Sequence, residues 1–328
     1  MIKLKTFGSF TVGNGLTSVQ EGAWRSEKLE KLFVYLAMNR NRGVCIEDIS
    51  EAIWQVEEET DNPVGALKNL AYRLRKALRD ASFGEECIVS VRGGLYKWND
   101  DVEVTIDVEE FDRYINEAEM AFCRSKETAI ESYEKAIALY HGDFLPLRTD
   151  THWFMTLNAF YHSRYVNTVK ALAKLYIDTG CYEKLEQLCI RAIVYERSDE
   201  QIYSYLIMAR MRTKKVQMAF DTYETAKAIM DKDLGVRKTV MLNKVYEELL
   251  SVTKGASSYN IDEVKDDISE ESMNGVFMCG YPVFKEIYQL EVRKSARSTI
   301  PESLVLVTVV PMYSSQPDKN HSQMKDSM

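Results

Sequence analysis

The chain contains no proline between Pro146 and Pro282, and this long gap limits the folds that the stretch can form. A proline inside a helix removes a hydrogen bond and clashes with the preceding turn, so a long proline-free stretch favours a series of helices. Residues at matching positions recur there 34 apart, which is the period of tetratricopeptide repeats. The matching pairs are Leu172 and Leu206, Gly180 and Lys214, Leu185 and Ala219, and Ala192 and Ala226. The spacing predicts two clear repeats, an earlier divergent pair around residues 129–140, and neighbouring helices that cap the array.

Residues 1–106 predict a different unit, which opens with strands. Alternating apolar runs at 2–7 and 10–12, followed by a turn at 13–15, indicate a small sheet. A helix then begins after Ser26, which is a candidate N-cap. Its apolar stripe consists of Leu29, Leu32, Phe33 and Leu36.

Two further helices and a hairpin complete this unit. The helices are expected at about residues 46–54 and 63–80, and the hairpin joins 88–91 to 95–98. Pro63 suits the first turn of the third helix, because that position needs no backbone donor. A sheet, three helices and a C-terminal hairpin form the order of a winged helix with an N-terminal sheet.

The predicted third helix separates apolar from basic side chains. We expect the core to receive Leu67, Leu70, Ala71, Leu74 and Leu78. The opposite side and its flanks present Lys68, Asn69, Tyr72, Arg73, Lys76 and Arg79. Between Val64 and Asp80 there are five basic residues and one acid, in a chain whose net charge is −8. Such a face can enter a DNA major groove, where Arg or Lys reads guanine, Asn pairs with adenine and other cations bind phosphates.

A basic helix face is also common on surfaces that contact only water. Two neighbouring features favour DNA binding here. The helix is N-capped after a loop, and the hairpin that follows carries Arg92 beside Gly93 and Gly94. A reading helix with an adjacent wing suits DNA, and arginine is the residue expected at a narrow minor groove. The predicted DNA-binding residues are therefore Lys68, Asn69, Tyr72, Arg73, Lys76, Arg79 and Arg92.

Several short motifs are spread over about residues 1–252. The N-terminal motifs are Trp24–Lys28, Leu32–Leu36, Ile53–Trp54, Leu70–Leu78 and Gly93–Tyr96. The later motifs are Val104–Phe111, Tyr140–Pro146 and Asp233–Val236. Taken together, they resemble the antibiotic regulatory protein (SARP) family, in which an OmpR-type winged helix precedes a bacterial transcriptional activator domain.

This resemblance implies a role for three segments. The third helix would be the recognition helix, the hairpin would be the wing, and the loop Gln55–Asn62 would contact RNA polymerase. The acidity of that loop suits a basic polymerase surface, although acidic loops are often merely solvated. Many members of the family carry an ATPase module after the helical domain, but the phosphate-binding motif G-x-x-x-x-G-K-[ST] does not occur in this sequence.

The C-terminal quarter changes character. Residues 255–274 hold six acidic residues against Lys265, which is typical of a linker. Residues 275–328 predict two strands, one helix and a polar tail. Because one helix and two strands cannot close a core, we expect an incomplete α/β segment.

The sequence contains no motif that indicates a catalytic site. The six cysteines stand singly, the four histidines lack metal-binding spacing, and no nucleophile motif occurs. We therefore expect no enzyme activity, no metal and no cofactor. No apolar run approaches the ~18 residues of a membrane span, and the N-terminus lacks the apolar core of a signal peptide. These features predict a cytoplasmic protein.

The predicted fold is mainly α: a winged-helix DNA-binding domain over 1–106, a tetratricopeptide-like activator domain over 107–254, a linker and the partial segment 275–328. The leading hypothesis is a sequence-specific transcription regulator, acting as an activator. Its expected partners are double-stranded DNA, RNA polymerase, a second copy of the chain, and an unknown effector or protein on the helical domain. The alternative is an adaptor whose winged helix no longer binds DNA tightly.

Overall fold

The computed structural model describes residues 1–54, 62–83, 88–91, 94–234, 240–256, 287–288 and 290–292. Met1–Ser257 form one compact unit and Ser258–Met328 form a second. In the second unit the described residues 287–288 and 290–292 are helical. Beyond residue 256, the expected linker and the rest of the partial C-terminal segment lie outside the described residues, and the bounds of the four predicted segments stay predictions.

Within residues 1–106, which we call the N-terminal part, the described positions contain six short strands. They are β1 (Ile2–Lys5), β2 (Thr11–Gly13), β3 (Ser18–Gln20), β4 (Ile88–Ser90), β5 (Tyr96–Trp98) and β6 (Val104–Ile106). Four of them form a sheet in the order β3-β2-β1-β6, in which only the β1–β6 pair is parallel. Alternate side chains, such as Ile2 and Leu4, are buried, so one face of this sheet covers the core.

The described residues of the N-terminal part also contain three helices that pack on one another: α1 (Glu27–Met38), α2 (Ile46–Ile53) and α3 (Pro63–Asp80). Helix α1 is buried over all residues from Leu29 to Ala37, so its buried surface is wider than the predicted stripe. A helix that is buried on every side lies inside a structure rather than on its surface. Ser26 occupies the N-cap position, but its side chain makes no capping hydrogen bond.

The rest of the described chain up to residue 256 is a helical array, which confirms the tetratricopeptide-like prediction. Its helices are α4 (Asp107–Ala121), α5 (Lys126–Leu139), α6 (His152–Thr179), α7 (Tyr182–Tyr195), α8 (Glu200–Arg212), α9 (Val216–Ile229) and α10 (Val240–Ala256). Each helix from α4 to α9 packs on its neighbour in the chain, and α10 packs on α8 and α9. The divergent pair is α4 with α5, and α10 covers the end of the array.

The 34-residue spacing marks structurally equivalent helix ends. Gly180 after α6 and Lys214 after α8 both have left-handed backbones, with φ of 71° and 62°. The next amide in each case donates to a carbonyl five residues earlier, Cys181 N to Tyr176 O and Lys215 N to Arg210 O, both at 2.8 Å. The first helix of each repeat, α6 or α8, therefore ends in the same motif, although one end uses glycine and the other uses lysine.

Lys214→Gly is expected to raise the free energy of unfolding by about 1 kcal/mol, because a left-handed backbone is unfavourable for a residue with a Cβ atom. Chemical denaturation of the full-length protein would measure this gain. Lys214→Ala is the matched control, since it removes the same exposed side chain but retains the Cβ atom. A gain of equal size in both variants would show that the lysine side chain, and not the backbone, is responsible.

The N-terminal part and the helical array share one core. A continuous cluster of buried apolar residues extends from Ile2 in β1 to Ala209 in α8. Phe7 lies at the junction, where its ring contacts Phe111, Tyr140 and Tyr161 at centroid distances of 5.2, 4.9 and 5.7 Å. The two parts therefore pack as one body.

Backbone contacts tighten this junction near Gly8. Its amide donates to the carbonyl of Asp143 at 2.9 Å, and the amide of Leu145 donates to the carbonyl of Thr6 at 2.9 Å. Gly8 has φ of +82°, and a Cβ atom there would lie 2.6 Å from the carbonyl oxygen of His141. Only glycine, which has no Cβ atom, allows the two backbone segments to approach so closely.

The buried carboxylate of Asp107, at the start of α4, joins the array to β1. It accepts hydrogen bonds from the Thr6 amide and hydroxyl at 2.7 and 2.6 Å, from the Phe7 amide at 2.9 Å and from the Val108 amide at 3.0 Å. Burial raises the pKa of Asp107, and these hydrogen bonds oppose the rise.

A buried ion pair joins α1 to the array on another side. Arg148 follows α5 and is 5% exposed at its side chain; its guanidinium lies 2.5 Å from Glu30, 3.3 Å from Glu21 and 3.6 Å from Glu27. The adjacent Lys31, also buried, pairs with Asp150. Charged pairs of this kind hold two elements in one geometry, because either partner alone would be a buried, uncompensated charge.

Candidate nucleic-acid interface

Helix α3 has a sequence that defines where it begins. The side chain of Asn62 accepts a hydrogen bond from the Gly65 amide at 2.8 Å, and Pro63 occupies the first turn. Asn is a preferred N-cap, and Pro at this position loses no intrahelical bond. The helix therefore starts where the sequence predicts.

One side of α3 is apolar and packs inside the N-terminal part. All five residues that the sequence assigns to the core are buried: Leu67, Leu70, Ala71, Leu74 and Leu78. Their burial fixes which side of the helix faces away from the core.

The other side of α3 carries the polar residues that the sequence assigns to DNA. The exposed members of this set are Lys68, Asn69, Tyr72, Arg73, Lys76 and Arg79. Tyr72 is 66% exposed, which is high for a large aromatic side chain. From Asn69 to Lys76 the helix rises by roughly 10 Å. That length is comparable with the major-groove width of about 12 Å.

The hairpin of β4 and β5 follows α3 in the chain. Strand β4 pairs antiparallel with β5, with Ile88 opposite Trp98. The backbone of Tyr96 in β5 also exchanges two 2.7 Å hydrogen bonds with Val44, just before α2. Arg92, the predicted wing residue, lies outside the described residues. So do residues 55–61 of the loop that was expected to contact RNA polymerase.

The structure adds two residues that the sequence gave no reason to place near α3. Asn14 and Thr17, in the turn between β2 and β3, donate hydrogen bonds to the carbonyls of Ser82 and Ala81 at the end of α3. The Gly13-Asn14-Gly15 pattern predicts this turn but not its contact, because the partners lie more than 60 residues away.

A polar cluster in the helical array has a structural explanation. Hydrogen bonds to Asp143 at 2.7 Å and Glu196 at 3.1 Å raise the pKa of His162 to about 9, against the effect of burial. The protonated imidazole thus links the end of α7 to the segment before α6. Within the described ranges, no group of three His, Cys, Asp or Glu side chains could hold a metal ion.

Among the residues that the structure describes, no helix combines the length and hydropathy needed to cross a membrane.

A comparison with protein families finds a match to the helical array. Residues 106–250 match the family model described as the bacterial transcriptional activator domain. The match begins at the last residue of β6 and ends within α10, so it covers the array that the structure shows. No curated protein matches the chain.

Among solved structures, the chain is similar to EmbR of Mycobacterium tuberculosis, determined in complex with a low-affinity phosphopeptide. The two are 19% identical with a TM-score of 0.59, over 80% of this chain and 70% of that one. This likeness shows a shared fold over most of the chain.

Two isolated tetratricopeptide domains also match. They are the OM64 domain of Arabidopsis, at 13% identity and a TM-score of 0.31, and the Sgt2 domain of Aspergillus fumigatus, at 17% and 0.30. They cover 44% and 53% of this chain, and 98% and 93% of their own chains. At these TM-scores the likeness supports no conclusion about function.

Proposed function

We propose that this protein is a sequence-specific DNA-binding transcription regulator that acts as an activator. The observation that carries the proposal is the exposed face of α3, where basic and amide side chains stand opposite a fully buried apolar face. The match of residues 106–250 to a bacterial transcriptional activator domain supports the same function. Residues 1–106 would then be the winged-helix domain, with α3 as its recognition helix.

The side chains of α3 divide into two roles under this proposal. Arg73 and Lys76 read guanine edges in the major groove, and Asn69 pairs with adenine. Lys68, Tyr72 and Arg79 bind phosphates on either side, which positions the helix without reading sequence. The wing would add Arg92 at the backbone or minor groove. A chain with a net charge of −8 needs such a local basic surface, because its bulk charge repels DNA.

The other partners follow from the activator role. The loop 55–62 would contact RNA polymerase, and the helical array would mediate self-association and bind an effector or protein. Two copies on a repeated site would gain affinity, because binding of the second copy becomes effectively intramolecular. A regulator with these partners would act in the cytoplasm and would need no catalytic activity of its own.

One observation favours the adaptor alternative. A groove of about 570 Å³ lies between α4, α5 and α6 and is lined by residues that include Ile115, Tyr133 and Phe160. Along it, α6 exposes an uncharged stripe made of Met155, Thr156, Ala159, Phe160, Ser163 and Asn167. Solvated helix faces usually carry charges, so this stripe suits a protein or small-molecule ligand. An adaptor would use the groove without binding DNA.

Selection of sites from random DNA duplexes by the full-length protein would test the proposed function. We expect a discrete sequence to be enriched, and its binding constant to fall linearly with salt on logarithmic axes. Lys68→Ala should weaken binding to selected and random duplexes alike and reduce the salt slope by roughly one.

Lys227→Ala is the matched control, because it removes an exposed lysine from α9 of the helical array. This variant should leave the affinity and the salt slope unchanged. If the wild-type protein enriches no sequence and binds duplexes weakly at low salt, the regulator is the wrong function and the adaptor is favoured.

A further inference from the structure

The C-terminal end of α3 adopts a strained conformation. Ser82 has a left-handed backbone with φ of 62°, which is unfavourable for a residue other than glycine. Its amide donates to Arg79 O at 3.0 Å, and the amide of Phe83 donates to Leu78 O at 2.8 Å. This pair of bonds ends the helix in a Schellman motif. It leaves the carbonyls of Ala81 and Ser82 pointing away from the helix.

The turn between β2 and β3 supplies donors to both carbonyls. The side-chain nitrogen of Asn14 donates to Ser82 O at 3.1 Å, and the hydroxyl of Thr17 donates to Ala81 O at 3.0 Å. Asn14 also organises the turn, because its side-chain oxygen accepts from the amides of Leu16 and Thr17 at 3.0 and 2.9 Å. One side chain therefore shapes the turn and joins it to the helix.

These contacts connect α3 to the four-stranded sheet. The turn joins two strands of the sheet, and the neighbouring β1 is held by the buried carboxylate of Asp107. The opposite end of α3 is capped by Asn62. Asn62 directly precedes α3 in the chain, so its hydrogen bond to Gly65 cannot set the tilt of the helix relative to the sheet. Packing of the buried leucines restricts the helix, and the two hydrogen bonds join its end to the turn.

We infer that Asn14 and Thr17 are positioning residues for DNA recognition: by clamping the end of α3 to the sheet, they set the angle at which its basic face meets the major groove. This inference rests on the proposed function, because it takes α3 to be the helix that enters DNA. Neither residue needs to touch DNA. A base contact demands accurate geometry, whereas a phosphate contact tolerates small displacements, so the clamp affects sequence discrimination first.

Three variants separate the clamp from the fold. Thr17→Val keeps the shape of the side chain and removes its donor, whereas Thr17→Ser retains the hydroxyl and is the matched control. Asn14→Asp keeps the oxygen that shapes the turn and replaces the nitrogen that donates to Ser82. Thr17 is exposed, and Asn14 is half-buried but changes only one terminal atom in Asn14→Asp, so none of these changes opens a cavity.

The first measurement needs no DNA. Residual dipolar couplings of backbone amides in the full-length protein report the orientation of α3 relative to β1 and β2. We expect a changed orientation in Thr17→Val and Asn14→Asp, and the wild-type orientation in Thr17→Ser. Unchanged couplings in the first two variants overturn the inference, whether or not the protein binds DNA.

The second measurement uses the duplex that the wild-type protein selects and a random duplex of equal length. Thr17→Val and Asn14→Asp should lower affinity for the selected duplex by at least about fivefold, the smallest effect expected from impairing one base contact. Affinity for the random duplex should stay unchanged for Thr17→Val, because phosphate contacts remain. Thr17→Ser should bind like the wild type. The inference is also overturned if the orientation of α3 changes in a variant that still distinguishes the selected duplex from the random one as well as the wild type does. If the wild type selects no duplex, the proposed function fails, and the couplings alone decide whether the turn holds α3.

Discussion

Simultaneous replacement of Arg73 and Lys76 by Ala is expected to abolish specific DNA binding and leave the fold intact. Each lost base contact should cost about 1 to 3 kcal/mol, so the double variant should lose roughly 2 to 6 kcal/mol of binding free energy. Both side chains are exposed and point away from the buried leucines, so their removal leaves no cavity. Titration of the selected duplex, with thermal unfolding measured in parallel, checks both halves of this expectation.

The matched control for this prediction is the pair Lys174→Ala and Lys227→Ala. It removes the same net charge from exposed positions on α6 and α9 of the helical array. Equal losses of affinity in the two double variants would mean that only total charge matters. Wild-type affinity in the Arg73 and Lys76 double variant would show that α3 is not the reading helix.

Arg148→Ala is expected to lower the free energy of unfolding by about 3 to 5 kcal/mol, which is the usual effect of removing one partner from a buried ion pair. The variant leaves Glu30, which is 2% exposed, without its cation, and Glu21 and Glu27 lie close to the same site. Urea denaturation of the full-length protein would measure the loss.

The double variant Arg148→Met with Glu30→Met provides the control. It removes both charges and keeps apolar volume at the junction, so most of the lost stability should return. A single variant as stable as the wild type would show that Arg148 does not hold α1 to the array. A double variant less stable than Arg148→Ala would show that side-chain volume, rather than charge, determines the stability of the junction.

The basic face of α3 could be predicted because its cause is local. An apolar stripe at helical spacing must face the core, and the remaining positions must then face outward. Lys68, Asn69 and Arg73 fell on the exposed side for this reason alone. The equivalent ends of α6 and α8 were predictable in the same way, since Gly180 and Lys214 share a position in the 34-residue period. Their common left-handed backbone confirms the structural meaning of that spacing.

The junction could not be predicted, because its partners are distant in sequence. Within α1, Glu30 and Lys31 are flanked by apolar residues. Their partners, Arg148 and Asp150, lie about 120 positions later in the chain. No local pattern distinguishes such buried charges from solvated ones. The sequence predicts a domain over residues 1–106, but a fragment ending there would lose the partners of Glu30 and Lys31. Experiments on DNA binding therefore need the full chain.

The shared core gives the protein a fixed orientation around any duplex that it binds. If α3 enters the major groove at one place, the rigid junction determines on which side of the DNA axis the helical array lies. Moving the binding site by about five base pairs, half a turn of B-DNA, would carry the array to the opposite side, and a shift of about ten would restore it. Promoter output should thus vary periodically with the spacing between this site and the start of transcription.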